Sequence, residues 1–113
     1  MRKHIKKPKK PKKIKERTRW AKFSKDFRSG KSCAICGSSD YLNVHHLIAR
    51  HVLKSKFKYE PNNLIVLCAN CHKFAFKGAH QNPIWFARWL DLHLPEHYKW
   101  VLEVTRLEYL KGE

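Results

Sequence analysis

The stretch that decides the fold runs from Cys33 to His72 and reads CAICGSSDYLNVHHLIARHVLKSKFKYEPNNLIVLCANCH. It contains two Cys-x-x-Cys pairs, an adjacent histidine pair between them, and one histidine directly after the last cysteine. In chain order these residues are Cys33, Cys36, His45, His46, Cys68, Cys71 and His72. The rest of the chain is interpreted by how it can support this stretch.

The two cysteine pairs predict a metal clamp. Four thiolates complete the tetrahedral shell of Zn²⁺ and leave no open position, so such a site is structural. The pairs are 31 residues apart, which exceeds the roughly 15–20 residues of a simple zinc ribbon. We therefore predict a structural zinc site with the histidine pair inserted inside it, formed by Cys33, Cys36, Cys68 and Cys71.

Length and charge indicate one small domain that binds a polyanion. A chain of 113 residues suits a single domain, and a core of this size often needs a metal or another cross-link. The formal net charge is +16, which favours nucleic acid as the partner, with an anionic membrane surface as the weaker alternative. No apolar run resembles a membrane span or a signal peptide, so we expect a soluble, intracellular protein without a membrane partner.

The first 17 residues, MRKHIKKPKKPKKIKER, form a basic segment with a net charge of +9. Its like charges repel, and its two prolines oppose a continuous helix, so we predict a disordered tail. The cations from Arg2 to Arg17 are expected to bind phosphates without reading sequence. A tail that only improves solubility, or a nuclear-import signal, would have a similar composition.

Periodicity predicts an α+β domain over residues 18–113, with a core motif at 33–78 and a helical extension at 79–113. A helix over Thr18–Arg28 places three aromatic residues on one face, which we expect to pack against the zinc module. Short strands are predicted at Tyr41–Val44 and Leu64–Leu67, followed by a helix over Ala69–Gly78. Asn82 and Pro83 are typical of a helix start, and Pro95 is expected to start a last helix over Glu96–Leu110.

The pattern CxxC…VHHL…NLIVLCxxCH resembles the HNH endonuclease family, and this resemblance implies a ββα-metal fold. His45 then takes the first metal-ligand place and His72 the second. His46 takes the place of the general base, and Asn63 the place of the asparagine that braces the loop between the strands. The resemblance implies a single-metal phosphodiester hydrolase that leaves 5′-phosphate and 3′-hydroxyl ends.

The segments at 47–51 and 79–83 are similar to a bacteriophage branch of the family that includes NinG-like proteins. That similarity implies the cytoplasm of a bacterial or phage-infected cell and a double-stranded or branched DNA substrate. A phage or host protein could be a partner, and the C-terminal segment could form the face of a homodimer. Because both assigned ligands are imidazoles, Mn²⁺, Ni²⁺ or Co²⁺ is expected to support activity at least as well as Mg²⁺, with Zn²⁺ also a candidate.

Several cations and histidines near the motif are further candidates. Arg50 could contact the phosphate next to the scissile one, or be ordinary basic surface. His51 or His80 could add a third metal ligand, although we favour a site without either. The alternating lysines Lys54, Lys56 and Lys58 suggest a solvated basic loop or strand edge near DNA. The alternative to an enzyme is a non-catalytic, zinc-stapled DNA- or RNA-binding protein, such as one associated with the ribosome.

Overall fold

The computed structural model describes residues 15–75 and 78–111. Within these residues the regular elements are the helices α1 (Glu16–Arg28), α2 (Pro83–His93) and α3 (Pro95–Lys111) and the strands β1 (Leu42–His46) and β2 (Leu64–Cys68). Short 3₁₀ turns lie at Val52–Ser55 and Pro61–Asn63, and one π-helical turn at Asn70–Phe74 follows β2. The α+β class is confirmed. None of the helices described is long and apolar enough to cross a membrane.

The two strands form an antiparallel hairpin in which Leu42 lies opposite Cys68 and His46 lies opposite Leu64. All five residues of β2 are buried, as its continuous apolar run predicts for a strand covered on both faces. β1 is longer than predicted, because it continues through both histidines. Neighbouring residues of a strand point to opposite faces, so the two imidazoles leave β1 in different directions.

The core lies between β2, the first cysteine pair and α2. Its buried members are Cys33, Ile65, Leu67, Cys68, Ala79 and Phe86. Asn82 caps α2 as predicted, since its side-chain oxygen accepts a hydrogen bond of 3.1 Å from the Trp85 N–H. Pro83 is the first residue of that helix, and α3 starts at Pro95, as predicted, to pack against α2 and the turn at Pro61–Asn63.

The prediction of a helix over Ala69–Gly78 is wrong in its extent. Only the single π-helical turn Asn70–Phe74 forms, and Ala75 is already extended, with φ −72° and ψ 150°. Gly78 then donates a backbone hydrogen bond to the Ala75 carbonyl, and a Cβ at Gly78 would lie only 2.9 Å from that oxygen. The close approach of the backbone at Gly78 therefore leaves no room for a side chain there.

Helix α1 lies across β1 with its aromatic face. The helix takes in Glu16 and Arg17, the last two residues of the predicted tail, while residues 1–14 of that tail lie outside the described part of the chain. None of its residues is fully buried. The aromatic stripe does not cover the zinc module as expected, because Trp20 packs against His46 and Phe23 packs against Tyr59.

Candidate functional site

The four cysteines form one cluster, which we call the thiol cluster (Cys33, Cys36, Cys68 and Cys71). Their Sγ atoms all lie within 4.8 Å of one another, and the Sγ atoms of Cys36 and Cys68 are 3.6 Å apart. All four are free of disulfides. A set of four sulfur donors at this spacing can hold a metal ion such as zinc.

Backbone N–H groups point at two sulfur atoms of the thiol cluster. The N–H of Cys36 points at Cys33 Sγ and the N–H of Cys71 at Cys68 Sγ, each at 3.5 Å. Burial raises the pKa of Cys33, but backbone hydrogen bonds, that of Cys36 foremost, outweigh it and bring the pKa to about 7. Burial and the neighbouring thiols raise the pKa of Cys71. Crowded sulfurs oppose each other's ionisation, and a bound cation would remove that cost.

A second group of donors, the imidazole cluster, comprises His45, His72 and His80. One ring nitrogen from each lies within 4.8 Å of those of the others, and the Nε2 atoms of His72 and His80 are 3.0 Å apart. Two nitrogens bound at right angles to one ion, each at about 2.1 Å, are separated by about 3.0 Å. The spacing therefore fits two ligands of a single metal ion.

One buried ring nitrogen of the imidazole cluster lacks the hydrogen bond that usually fixes a structural histidine. His72 is buried, and its Nδ1 has no hydrogen-bond partner among the residues described. Burial, with the neighbouring imidazoles and Lys73 adding to it, lowers the pKa of His72 to about 4, and burial with the other histidines lowers that of His45 to about 3. Both rings are thus neutral near pH 7, the form that binds a metal ion.

The turn after the second cysteine pair delivers His80 to this cluster. The N–H of Ala79 donates to the Cys71 carbonyl at 2.8 Å, and the N–H of His80 donates to the His72 carbonyl at 3.0 Å. The sequence favours a site without His80, whereas the structure brings His80 beside His45 and His72. His51, the other candidate, lines the same cleft but is not part of the cluster.

His46 lies on the opposite face of β1 from His45. Its Nε2 is 3.0 Å from the Lys58 carbonyl oxygen. A carbonyl only accepts, so Nε2 carries the proton and Nδ1 keeps its lone pair. Burial lowers the pKa of His46, an effect that the hydrogen bond to Lys58 opposes. The ring is therefore neutral near pH 7 and has one nitrogen that can accept a proton.

Asn63 ties together the loop between the strands. Its side chain is fully buried. Its oxygen accepts a hydrogen bond of 2.6 Å from the Ile48 N–H, and its amide donates to the carbonyls of Ile48 and Phe57, each at 3.0 Å. One side chain thereby fixes the start and the end of the long loop that follows the histidine pair.

Both β1 histidines open onto one cleft of about 360 Å³. The cleft is lined by Trp20, Val44, His45, His46, Ala49, Arg50, His51, His72, Lys73 and His80. No acidic side chain belongs to this lining, within the part of the chain that the structure describes. Arg50 and Lys73 are exposed, so the cleft combines imidazoles with cations and suits an anionic substrate.

Two of the three candidate lysines form ion pairs with helix carboxylates. Lys58 forms an ion pair of 2.7 Å with Glu16, and its side chain is only 13% exposed. Lys56 forms an ion pair of 2.7 Å with Glu108. The Lys58 side chain is thus largely removed from solvent, whereas the Lys56 side chain is 49% exposed despite its ion pair. Lys54 is exposed, as expected.

Comparison with protein families agrees with this geometry. Residues 33–74 match the family model of the HNH endonuclease. This segment is similar to an HNH endonuclease domain. The match spans both cysteine pairs and includes His45, His46, Asn63 and His72. Searches of curated proteins and of solved structures give no match.

The match suggests a nuclease that binds metal and acts on nucleic acid.

Two contributors to the site are not evident from the sequence, Trp20 and the Lys58 carbonyl. Trp20 had been assigned to the aromatic face of α1, but nothing in the sequence indicated that this face meets His46. A backbone carbonyl has no signature in the sequence at all.

Proposed function

We propose that the protein is a metal-dependent DNA endonuclease that hydrolyses phosphodiester bonds. His46 is the general base, and His45, His72 and His80 hold the catalytic divalent metal. The thiol cluster holds a structural Zn²⁺. The observation that carries the proposal is that His46 and the imidazole cluster open onto the same cleft, which has a cationic rim and an acid-free lining.

His46 would generate the nucleophile. Its Nδ1 lone pair is available because Nε2–H donates to the Lys58 carbonyl. Burial lowers the pKa of His46, and a neutral imidazole can take a proton from water near neutral pH. The hydroxide so formed attacks the scissile phosphorus, and the bond to the 3′ oxygen breaks. The products would be 5′-phosphate and 3′-hydroxyl ends.

The imidazole cluster fits a divalent ion in donor type and spacing. When bound, such an ion supplies Lewis-acid stabilisation of the charge that develops on the phosphate and on the leaving oxygen. His45 and His72 keep their rings neutral through burial, and His80 reaches them across the turn at Gly78. Imidazoles suit Zn²⁺, Ni²⁺, Co²⁺ and Mn²⁺ better than Mg²⁺.

The remaining assigned residues serve this chemistry indirectly. Asn63 holds the loop that carries Arg50 next to the cleft. Arg50 would contact a phosphate near the scissile one, and exposed Lys54 and the basic tail from Arg2 to Arg17 would add contacts to the DNA backbone. A double-stranded or branched substrate, a phage setting and a cytoplasmic location remain predictions from the sequence.

The non-catalytic alternative gains no support from the site. A zinc-stapled binder needs the thiol cluster and positive charge, both of which the chain has. Binding alone does not require an imidazole cluster, nor a free ring nitrogen on His46 beside that cluster. No specific observation favours that alternative over an enzyme.

The decisive experiment compares wild type with His46→Ala in a plasmid-cleavage assay with Mn²⁺. His51→Ala is the matched control, because His51 lines the same cleft outside the imidazole cluster. We expect His46→Ala to lose about 10²–10⁴-fold in rate at unchanged DNA affinity and zinc content, and His51→Ala to stay near wild type. Equal cleavage by wild type and His46→Ala would reject the proposed base.

A further inference from the structure

Two ion pairs fasten the loop between β1 and β2 to two different helices. Lys58 pairs with Glu16 of α1, and Lys56 pairs with Glu108 of α3. Both N···O distances are 2.7 Å, and both lysines lie within three residues of each other in the loop. The two pairs are thus alike in chemistry and length, which makes one a natural control for the other.

The two pairs differ in what the lysine backbone contacts. The carbonyl of Lys58 accepts the hydrogen bond from His46 Nε2. The side chain of the same residue is held by Glu16, which also accepts a hydrogen bond from the Tyr59 hydroxyl. Glu16 therefore fixes the loop on both sides of the Lys58 carbonyl. Glu108 holds the loop two residues earlier, away from that carbonyl.

Trp20, one turn after Glu16 on α1, covers the His46 ring. The ring centroids of Trp20 and His46 are 4.9 Å apart, and those of Trp20 and Tyr59 are 5.8 Å apart. The ammonium of Lys58 lies 5.6 Å from the Trp20 ring centroid. Helix α1 thereby supplies an aromatic wall, the Trp20 ring, beside His46. Through Glu16 the same helix holds Lys58, whose carbonyl accepts the hydrogen bond from His46.

An imidazole that acts as a base needs this kind of support. The strand fixes only the backbone of His46, whereas the ring can still rotate and can carry its proton on either nitrogen. The Lys58 carbonyl selects the tautomer with Nε2–H, and a flat aromatic neighbour limits the rotation. A displacement of about 1 Å at a reacting group can cost about 100-fold in rate.

We propose that Glu16 and Trp20 of α1 are positioning residues for His46: Glu16 acts through Lys58 to hold the carbonyl that orients the ring, and Trp20 blocks its rotation. The inference rests on the proposed role of His46 as the base. It assigns α1 a part in the active site, although its residues are not in the matched family segment.

The kinetic test uses the full chain and compares Glu16→Ala with Glu108→Ala. Each variant removes one carboxylate that pairs with a loop lysine. We expect Glu16→Ala to lower kcat about ten- to a hundredfold with KM within about twofold of wild type, while Glu108→Ala changes neither beyond about twofold. Equal losses in both variants would mean that any tether of the loop suffices, and would overturn the inference.

A second pair of variants tests the aromatic wall. Trp20→Phe keeps a ring beside His46, and Trp20→Ala removes it. We expect Trp20→Phe to retain kcat within about threefold and Trp20→Ala to lose about as much as Glu16→Ala. Zinc content and thermal melting of each variant report whether the domain still folds. A folded Trp20→Ala variant with normal kcat would remove Trp20 from the proposal.

NMR of ¹⁵N-labelled histidine separates failure of this inference from failure of the proposed function. Wild type and Glu108→Ala should show His46 with its proton on Nε2, whereas Glu16→Ala and Trp20→Ala should show a mixture of tautomers. An unchanged His46 signal in Glu16→Ala and Trp20→Ala overturns the positioning role, even if His46→Ala is inactive. If His46→Ala is active, the proposed base is rejected, and the tautomer comparison still decides whether α1 positions the ring.

Discussion

The thiol cluster and the imidazole cluster lie side by side but are built in different ways. In the thiol cluster, four donors surround a closed position, and backbone N–H groups from both Cys-x-x-Cys turns point at the sulfurs. In the imidazole cluster, three donors face an open cleft of about 360 Å³. A closed set of ligands suits a metal that holds a fold, and an open set suits one that meets a substrate.

The contrast is sharpest at two neighbouring residues. Cys71 belongs to the thiol cluster and His72 to the imidazole cluster, and both lie in one π-helical turn. Adjacent positions on a helix point in directions about 100° apart, so one turn serves both sites. A metal ion held by the thiol cluster would therefore also fix the backbone that carries His72 of the imidazole cluster.

Removal of a thiol should have the largest effect. Cys68→Ser takes away one of four ligands and leaves a hydroxyl among crowded sulfurs. Because zinc binding and folding are coupled in small metal domains, with binding worth roughly 10–16 kcal/mol in zinc-finger peptides, we expect the variant to lose both its zinc and its cooperative fold. Circular dichroism with zinc analysis measures this. A zinc-free variant that melts like wild type would contradict a structural role for the cluster.

Removal of one imidazole should weaken a single site and spare the fold. His80→Ala leaves two ligands in the imidazole cluster, so we expect the affinity for Ni²⁺ or Co²⁺ there to fall by more than the roughly 10–100-fold typical of losing an outer-shell partner. His51→Ala is the control and should leave the affinity unchanged. Calorimetric titration of zinc-loaded protein measures both. Equal affinities of His80→Ala and wild type would show that only His45 and His72 bind the metal ion.

The choice of catalytic ion should show the smallest difference. With imidazole ligands, cleavage of plasmid DNA with Mn²⁺, Ni²⁺ or Co²⁺ is expected to be at least as fast as with Mg²⁺. Rates measured across these ions at saturating concentration provide the comparison. A strict requirement for Mg²⁺ would contradict the assignment of His45 and His72 as ligands, because Mg²⁺ prefers oxygen donors.

Features set by local chemistry were predictable from the sequence. The Cys-x-x-Cys turns place N–H groups at their own sulfurs, and Asn82 caps the helix that Pro83 begins. The alternation of side chains along a strand and around a helix turn also separates His45 from His46 and Cys71 from His72. Each of these depends on residues a few positions apart.

Features set by tertiary contacts were not predictable in the same way. His80 reaches the imidazole cluster through the backbone hydrogen bonds of Ala79 and His80 to Cys71 and His72, whereas the sequence predicts a helix over Ala69–Gly78. Lys58 seemed a free cation by its position in a lysine-rich loop, yet Glu16, 42 residues away in the chain, holds it. Charge patterns show that a residue can pair but not which partner the fold will bring.

Metal stoichiometry of His72→Ala, measured by native mass spectrometry on the full chain, tests most directly whether Cys71 and His72 serve different metals. The account predicts two bound ions per wild-type chain at saturating Co²⁺ and one in His72→Ala, with the thiolate-to-cobalt absorption of the remaining ion intact. One ion in wild type, or loss of the thiolate-bound ion in His72→Ala, would contradict two separate sites.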